Sequence, residues 1–189
     1  MRKQLGRDVV TFGEMYLGDA NRSYFTSLAI GDTFGSGGTN GTVYAMPFIA
    51  SRRFKVSQIG IIVMTLQAGG LCRTGIYRSD GGGRPRDLII AGAEHDCSST
   101  GGKFASISTI LQDGELYWLA FTCNNGSLAF RSSNFLANGI FGTNSGTDGF
   151  YNPVWKASGS YAALPASFPT IDGGQMGSPC VFIRGELFA

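Results

Sequence analysis

Gln112-Asp113-Gly114-Glu115 followed by Leu116-Tyr117-Trp118-Leu119-Ala120-Phe121-Thr122-Cys123 is the stretch on which the fold turns. Asp-Gly is a tight-turn signal, because glycine enters the left-handed backbone region without steric cost. The eight residues after it read as a strand, since successive side chains of extended chain alternate between faces. Tyr117, Leu119, Phe121 and Cys123 fall on one face, and Leu116, Trp118 and Ala120 on the other. A strand apolar on both faces belongs in the middle of a sandwich or at a subunit interface. Residues 103 to 111 before the turn are extended too, so the local reading is a β-hairpin with 116 to 123 as its returning strand.

Working outward, other segments repeat this pattern. Residues 42 to 50, Thr-Val-Tyr-Ala-Met-Pro-Phe-Ile-Ala, read as a strand, and Pro47 places it at a sheet edge or bulge because proline has no N–H for the ladder. From 54 to 66 the alternation has two phases, Phe54 and Val56 and then Ile59, Ile61 and Val63. One residue near Ser57-Gln58 must be absorbed there, which predicts a β-bulge. Residues 71 to 79 form a strand, Asp80-Gly81-Gly82-Gly83-Arg84-Pro85 a loop, and 87 to 94 resume extended chain. Asn124-Asn125-Gly126 is a turn, 134 to 169 is a long aperiodic stretch of the kind that often carries function, and 179 to 187 alternates as a closing strand.

Composition agrees. Glycine occupies 29 of 189 positions, aromatic residues make up 12% and charged residues only 15%. That mixture suits turns and pleated, packed surfaces more than helices. A chain of this length buries roughly 70% of its unfolded surface and folds without staples. The expected fold is all-β, a jelly-roll-like antiparallel β-sandwich over residues 26–189. Residues 1–25 carry mixed charge without a sustained period and read as an extended N-terminal arm. Arg2, Lys3, Arg7, Phe12 and Tyr16 are its candidate partner-binding residues.

Several functions lose support at this level. A net charge of +2 gives no basic field for nucleic acid. No apolar run is long enough to span a membrane as a helix, and no export signal is recognisable at the start. Cys72, Cys97, Cys123 and Cys180 lack the paired spacing of zinc sites and read as reduced, buried thiols, although their even count also permits disulfides whose connectivity the sequence does not assign. His95 is the only histidine, and its neighbours Glu94, Asp96 and Cys97 do not converge with it on one ligand. No nucleophile elbow accompanies it. Asn144, Asp148 and Asn152 do not match a calcium loop. The chain is expected to be no enzyme, with no catalytic residues, no metal and no cofactor.

Gly75-Ile76-Tyr77, the loop from Asp80 to Pro85, Leu88, and Gly114-Glu115-Leu116-Tyr117-Trp118-Leu119-Ala120 together resemble a jelly-roll domain of bacteriophage virion proteins. The resemblance covers residues 42 to 130. It implies a virion structural protein assembled in the host cytoplasm, of capsid decoration or cement, head-fibre or tail-fibre-tip type. A homotrimer is implied by analogy, with the major capsid protein or another virion protein as partner. A receptor-binding module for host surface polysaccharide is the alternative. Its candidate glycan or subunit contacts are Tyr77, Arg78, Asp80, Arg84 and Trp155, which combine aromatic faces with polar groups.

Overall fold

The computed structural model describes residues 14–15, 23–26, 35–50, 53–133, 154–175 and 178–187. Within them there is no helix. The strands in chain order are β1 (Glu14–Met15), β2 (Ser23–Thr26), β3 (Gly35–Gly37), β4 (Val43–Ile49), β5 (Phe54–Thr65), β6 (Leu71–Ser79), β7 (Pro85–Ala91), β8 (His95–Asp96), β9 (Gly101–Leu111), β10 (Leu116–Cys123), β11 (Ala129–Ser133), β12 (Val154–Ala157), β13 (Gly173–Gln175), β14 (Ser178–Pro179) and β15 (Phe182–Leu187). They form two antiparallel sheets. One runs β1-β2-β15-β5-β11-β14, with β9 on β5 and β3 on β11; the other runs β13-β12-β4-β10-β6-β7, with β8 on β6. The protein is an all-β sandwich.

The two-faced strand behaves as its apolar pattern demands. β10 lies between β4 and β6 in the second sheet. Its Tyr117, Leu119, Phe121 and Cys123 enter the main core with Tyr44, Met46, Ile59, Ile61, Phe130 and Ile183, which draws side chains from both sheets. Trp118 and Ala120 point the other way, into a smaller core with Val43, Ala45, Tyr77 and Leu164. Each large side chain sequestered in this way contributes ~1.5–3 kcal/mol.

The turn at Asp113-Gly114 forms, but the expected hairpin does not. β9 pairs with β5 and β10 with β4 and β6, so this turn carries the chain from one sheet to the other. Gly114 takes φ +73°, its N–H donates to Ala50 O at 2.7 Å, and Ala50 N–H donates to Glu115 O at 3.1 Å. The Tyr117 hydroxyl accepts from Gln112 N–H at 2.9 Å and donates to the Glu115 carboxylate at 2.7 Å. Burying β10 on both faces requires a layer over each, and as an inner strand of the second sheet it has the main core on one side and the smaller core on the other.

The expected bulge forms in β5. Against β15, Gln58 faces Arg184 and Val56 faces Gly185, which leaves Ser57 as the extra residue of a bulge. Ser57 Oγ donates to Arg184 O at 3.3 Å. The edge placement expected from Pro47 is not found, since β4 lies between β12 and β10; the proline is accommodated because β12 pairs with β4 only at residues 43 to 45, so its missing N–H faces no partner strand among the described residues. The closing strand β15 lies beside the early strands β2 and β5. The boundary drawn after residue 25 falls inside β2, and β1 pairs with β2, so part of the segment read as an arm is built into the sheet.

Candidate functional site

The loop between β6 and β7 is shaped by one carboxylate. Asp80 Oδ1 accepts from the Gly82 and Arg84 amides at 2.7 and 3.0 Å, and Asp80 N–H donates to Arg84 O at 2.9 Å. Gly81 and Gly83 adopt φ +84° and +81°, a region that side chains with a Cβ disfavour. The Arg84 and Gly82 amides together hold the Asp80 carboxyl below the usual carboxylate range. Neutral hydrogen-bond donors aimed at a carboxylate favour its charged form.

Trp155, on β12, closes one side of this loop. Its indole N–H donates to Gly83 O at 3.2 Å, and the Arg84 guanidinium lies 6.0 Å from the indole ring centroid. Asp80, Arg84, Pro85, Arg86, Pro169, Thr170 and Ile171 line an open cleft of about 500 Å³ beside it. The two arginines offer forked donors suited to carboxylates and other anions. The prolines and Ile171 offer an apolar floor.

Residues 158–172 cross the outer face of the second sheet as a strap. Leu88 N–H donates to Ala166 O at 2.8 Å and Phe168 N–H to Arg86 O at 2.7 Å, so the strap runs beside β7. Tyr77 packs edge-on against Phe168, with ring centroids 5.3 Å apart, and donates its hydroxyl to Pro165 O at 2.8 Å. At the strap's start, Tyr161 donates to the Glu94 carboxylate at 2.8 Å, which also pairs with Arg73 at 2.8 Å. At its end, Asp172 accepts from Ser158 N–H at 2.7 Å. Beneath the strap a cavity of about 180 Å³ is lined by Gly41, Val43, Thr122 and residues of the strap. The Thr122 hydroxyl is buried and has no hydrogen-bond partner among the described residues.

Of the residues expected to contact a glycan, Asp80, Arg84 and Trp155 come together. Tyr77 is corrected: at 0% exposure its ring is committed to the strap and offers no face to a sugar. Arg78 points the other way, opposite Tyr117, because adjacent residues of a strand alternate faces. The cleft gains Arg86, Pro169, Thr170 and Ile171, which pattern reading did not single out. The Arg84-Pro85-Arg86 run was the available signal for Arg86; nothing marked the strap residues. Arg2, Lys3, Arg7, Phe12 and Tyr16, and the residues weighed for calcium, Asn144, Asp148 and Asn152, lie outside the described residues.

His95 and the four cysteines face inward. His95 Nε2 lies 3.0 Å from Thr74 Oγ1, both buried, and burial pushes the imidazole below its ordinary value. All four cysteines are buried, and Cys72, Cys97 and Cys123 carry free thiols in the main core. Among the described residues no group of three or more histidine, cysteine or acidic side chains is arranged to hold a metal ion. No family model and no curated protein matches this chain.

Proposed function

We propose that this chain is a non-catalytic virion protein of the bacteriophage jelly-roll type, a capsid cement or decoration module that grips the shell through its N-terminal residues. The observation that carries this reading is the pairing of β2 with β15: Thr26, Phe25, Tyr24 and Ser23 lie opposite Phe182, Ile183, Arg184 and Gly185. A chain that leaves the domain from β1 is thereby stitched to the same sheet as β5 and β15. Tension on the preceding residues would pass into a backbone ladder and the main core rather than into a loose linker. Cementing needs no chemistry: a ligand that binds only the assembled shell stabilises it by mass action. The chain's one histidine is buried against Thr74, which favours a packing role for it. Trimerisation on the major capsid protein belongs to the same reading, by analogy.

Cosedimentation with emptied capsids tests it, using the full chain and a chain lacking residues 1–13, which keeps β1 and β2. Binding that disappears in the truncated chain while its unfolding midpoint is unchanged supports the reading. Equal binding by both chains, or binding to tails alone, overturns it.

A second reading has its own observation. The cleft beside Trp155, with Arg84 and Arg86 on its rim, fits a host surface polysaccharide, because sugars are held by aromatic or apolar platforms and forked polar donors. Arg84→Ala should abolish binding on a glycan array without changing thermal stability. An array on which the unaltered chain shows no binder removes this reading.

A further inference from the structure

Cys72 of β6 and Cys123 of β10 are direct partners in the antiparallel register. The bond next to them, Asn124 N–H to Leu71 O at 3.0 Å, identifies theirs as a pair that exchanges no backbone hydrogen bonds. In pairs of that type the Cα atoms approach to about 4.5 Å, inside the roughly 4.4–6.8 Å that a disulfide spans. Both side chains enter the main core on the same face of the sheet, so their Cβ vectors do not diverge. Gly38 leaves room for the sulfur: a Cβ there would lie 2.5 Å from Cys123 Sγ. In the reduced protein Cys123 Sγ donates to Asn125 O at 3.5 Å.

We infer that Cys72 and Cys123 form an oxidation site, a latent cross-strand disulfide closed by exchange with a low-molecular-weight disulfide. The thiolate of one cysteine attacks the small disulfide, breaks its S–S bond and releases one small thiol. The second cysteine attacks the protein-bound sulfur of this mixed disulfide and expels the other small thiol. The two protons lost by the protein end on the two small thiols, and the electrons that reduced the oxidant come from the two cysteine sulfurs. Both sulfurs are buried, so the exchange waits on local opening of β6 from β10. The closed bond would tie together adjacent strands inside the second sheet and close a loop of about 50 residues. Such a bond suits a protein that folds in a reducing compartment and must persist outside it. Cys97, third in the core cluster, is the competing thiol; its N–H pairs with Gly70 O and His95 faces Cys72, so it sits diagonal to Cys72 rather than opposite.

The test exposes the reduced full chain to oxidised glutathione in mild urea, removes the urea, and reads intact mass and a peptide map. The expected product has lost two hydrogens, carries one bond between Cys72 and Cys123, leaves Cys97 and Cys180 open to alkylation after denaturation, and melts at a higher temperature. Cys97→Ser and Cys180→Ser should still form it; Cys123→Ser should not. A bond between Cys72 and Cys97, a stable glutathione adduct, or four recoverable thiols would each overturn the inference.

Discussion

The Tyr77 hydroxyl donates to the carbonyl of Pro165 across 2.8 Å, joining an inner strand of the second sheet to the strap that covers it. Tyr77 has no exposed surface, and burial pushes its phenol well above its ordinary value. Tyr77→Phe keeps the packing against Phe168 and leaves the Pro165 carbonyl without its donor. The expected loss is about 1 kcal/mol in urea unfolding. Tyr77→Ala also empties part of the smaller core and should cost ~3–5 kcal/mol.

Gly41 ties the strap to the start of β4. It adopts φ +72°, and a Cβ on it would collide with Gly159 O and the Tyr161 amide. Gly41→Ala therefore strains the backbone and displaces the strap together. Thermal melts should show a loss of roughly 1–3 kcal/mol. Hydrogen exchange should accelerate first at the Leu88 and Phe168 amides, whose partners lie across the strap junction.

His95 gives the stability a pH dependence of defined sign. Burial lowers its pKa in the folded protein from 6.5, so the unfolded chain binds the proton more readily. Its contribution is complete above about pH 6.5 and declines as the pH falls through that value toward the folded pKa. The difference in unfolding free energy between the unaltered protein and His95→Gln, followed from pH 8 down to about pH 5, isolates this slope. The unaltered protein should lose stability more steeply on the acid side.

Asp80 organises the rim of the cleft without stabilising the core. Asp80→Ala should leave the global unfolding midpoint nearly unchanged and speed exchange of the Gly82 and Arg84 amides that it now binds. Because its pKa is depressed, the same loosening should appear in the unaltered protein only when the pH falls below the usual carboxylate range.

Much of this architecture was legible because burial leaves period-two traces. The two apolar faces of residues 116 to 123 called for a strand in the middle of a sandwich or at a subunit interface, and β10 is an inner strand with one face in each core. The broken alternation around Ser57 called for a bulge, and the register slips there. Asp113-Gly114 marked a turn but not its destination, since left-handed backbone at a glycine is equally compatible with a hairpin and with a crossing between sheets. The cleft was half legible: the loop's glycines and Asp80 announced a fixed turn. Pro169, Thr170 and Ile171 left no trace, because the strap has no period and is placed by Tyr77, Glu94 and β7. Tyr77 itself misled, since an aromatic beside a polar loop looks the same in sequence whether its ring faces solvent or a strap.

The most direct test of the proposed cementing role is the temperature at which emptied phage capsids come apart, measured against increasing concentrations of this protein. A saturable rise, absent for the chain lacking residues 1–13, is the expected result. An unchanged disassembly temperature at concentrations where the protein is folded and in excess over shell subunits would contradict it.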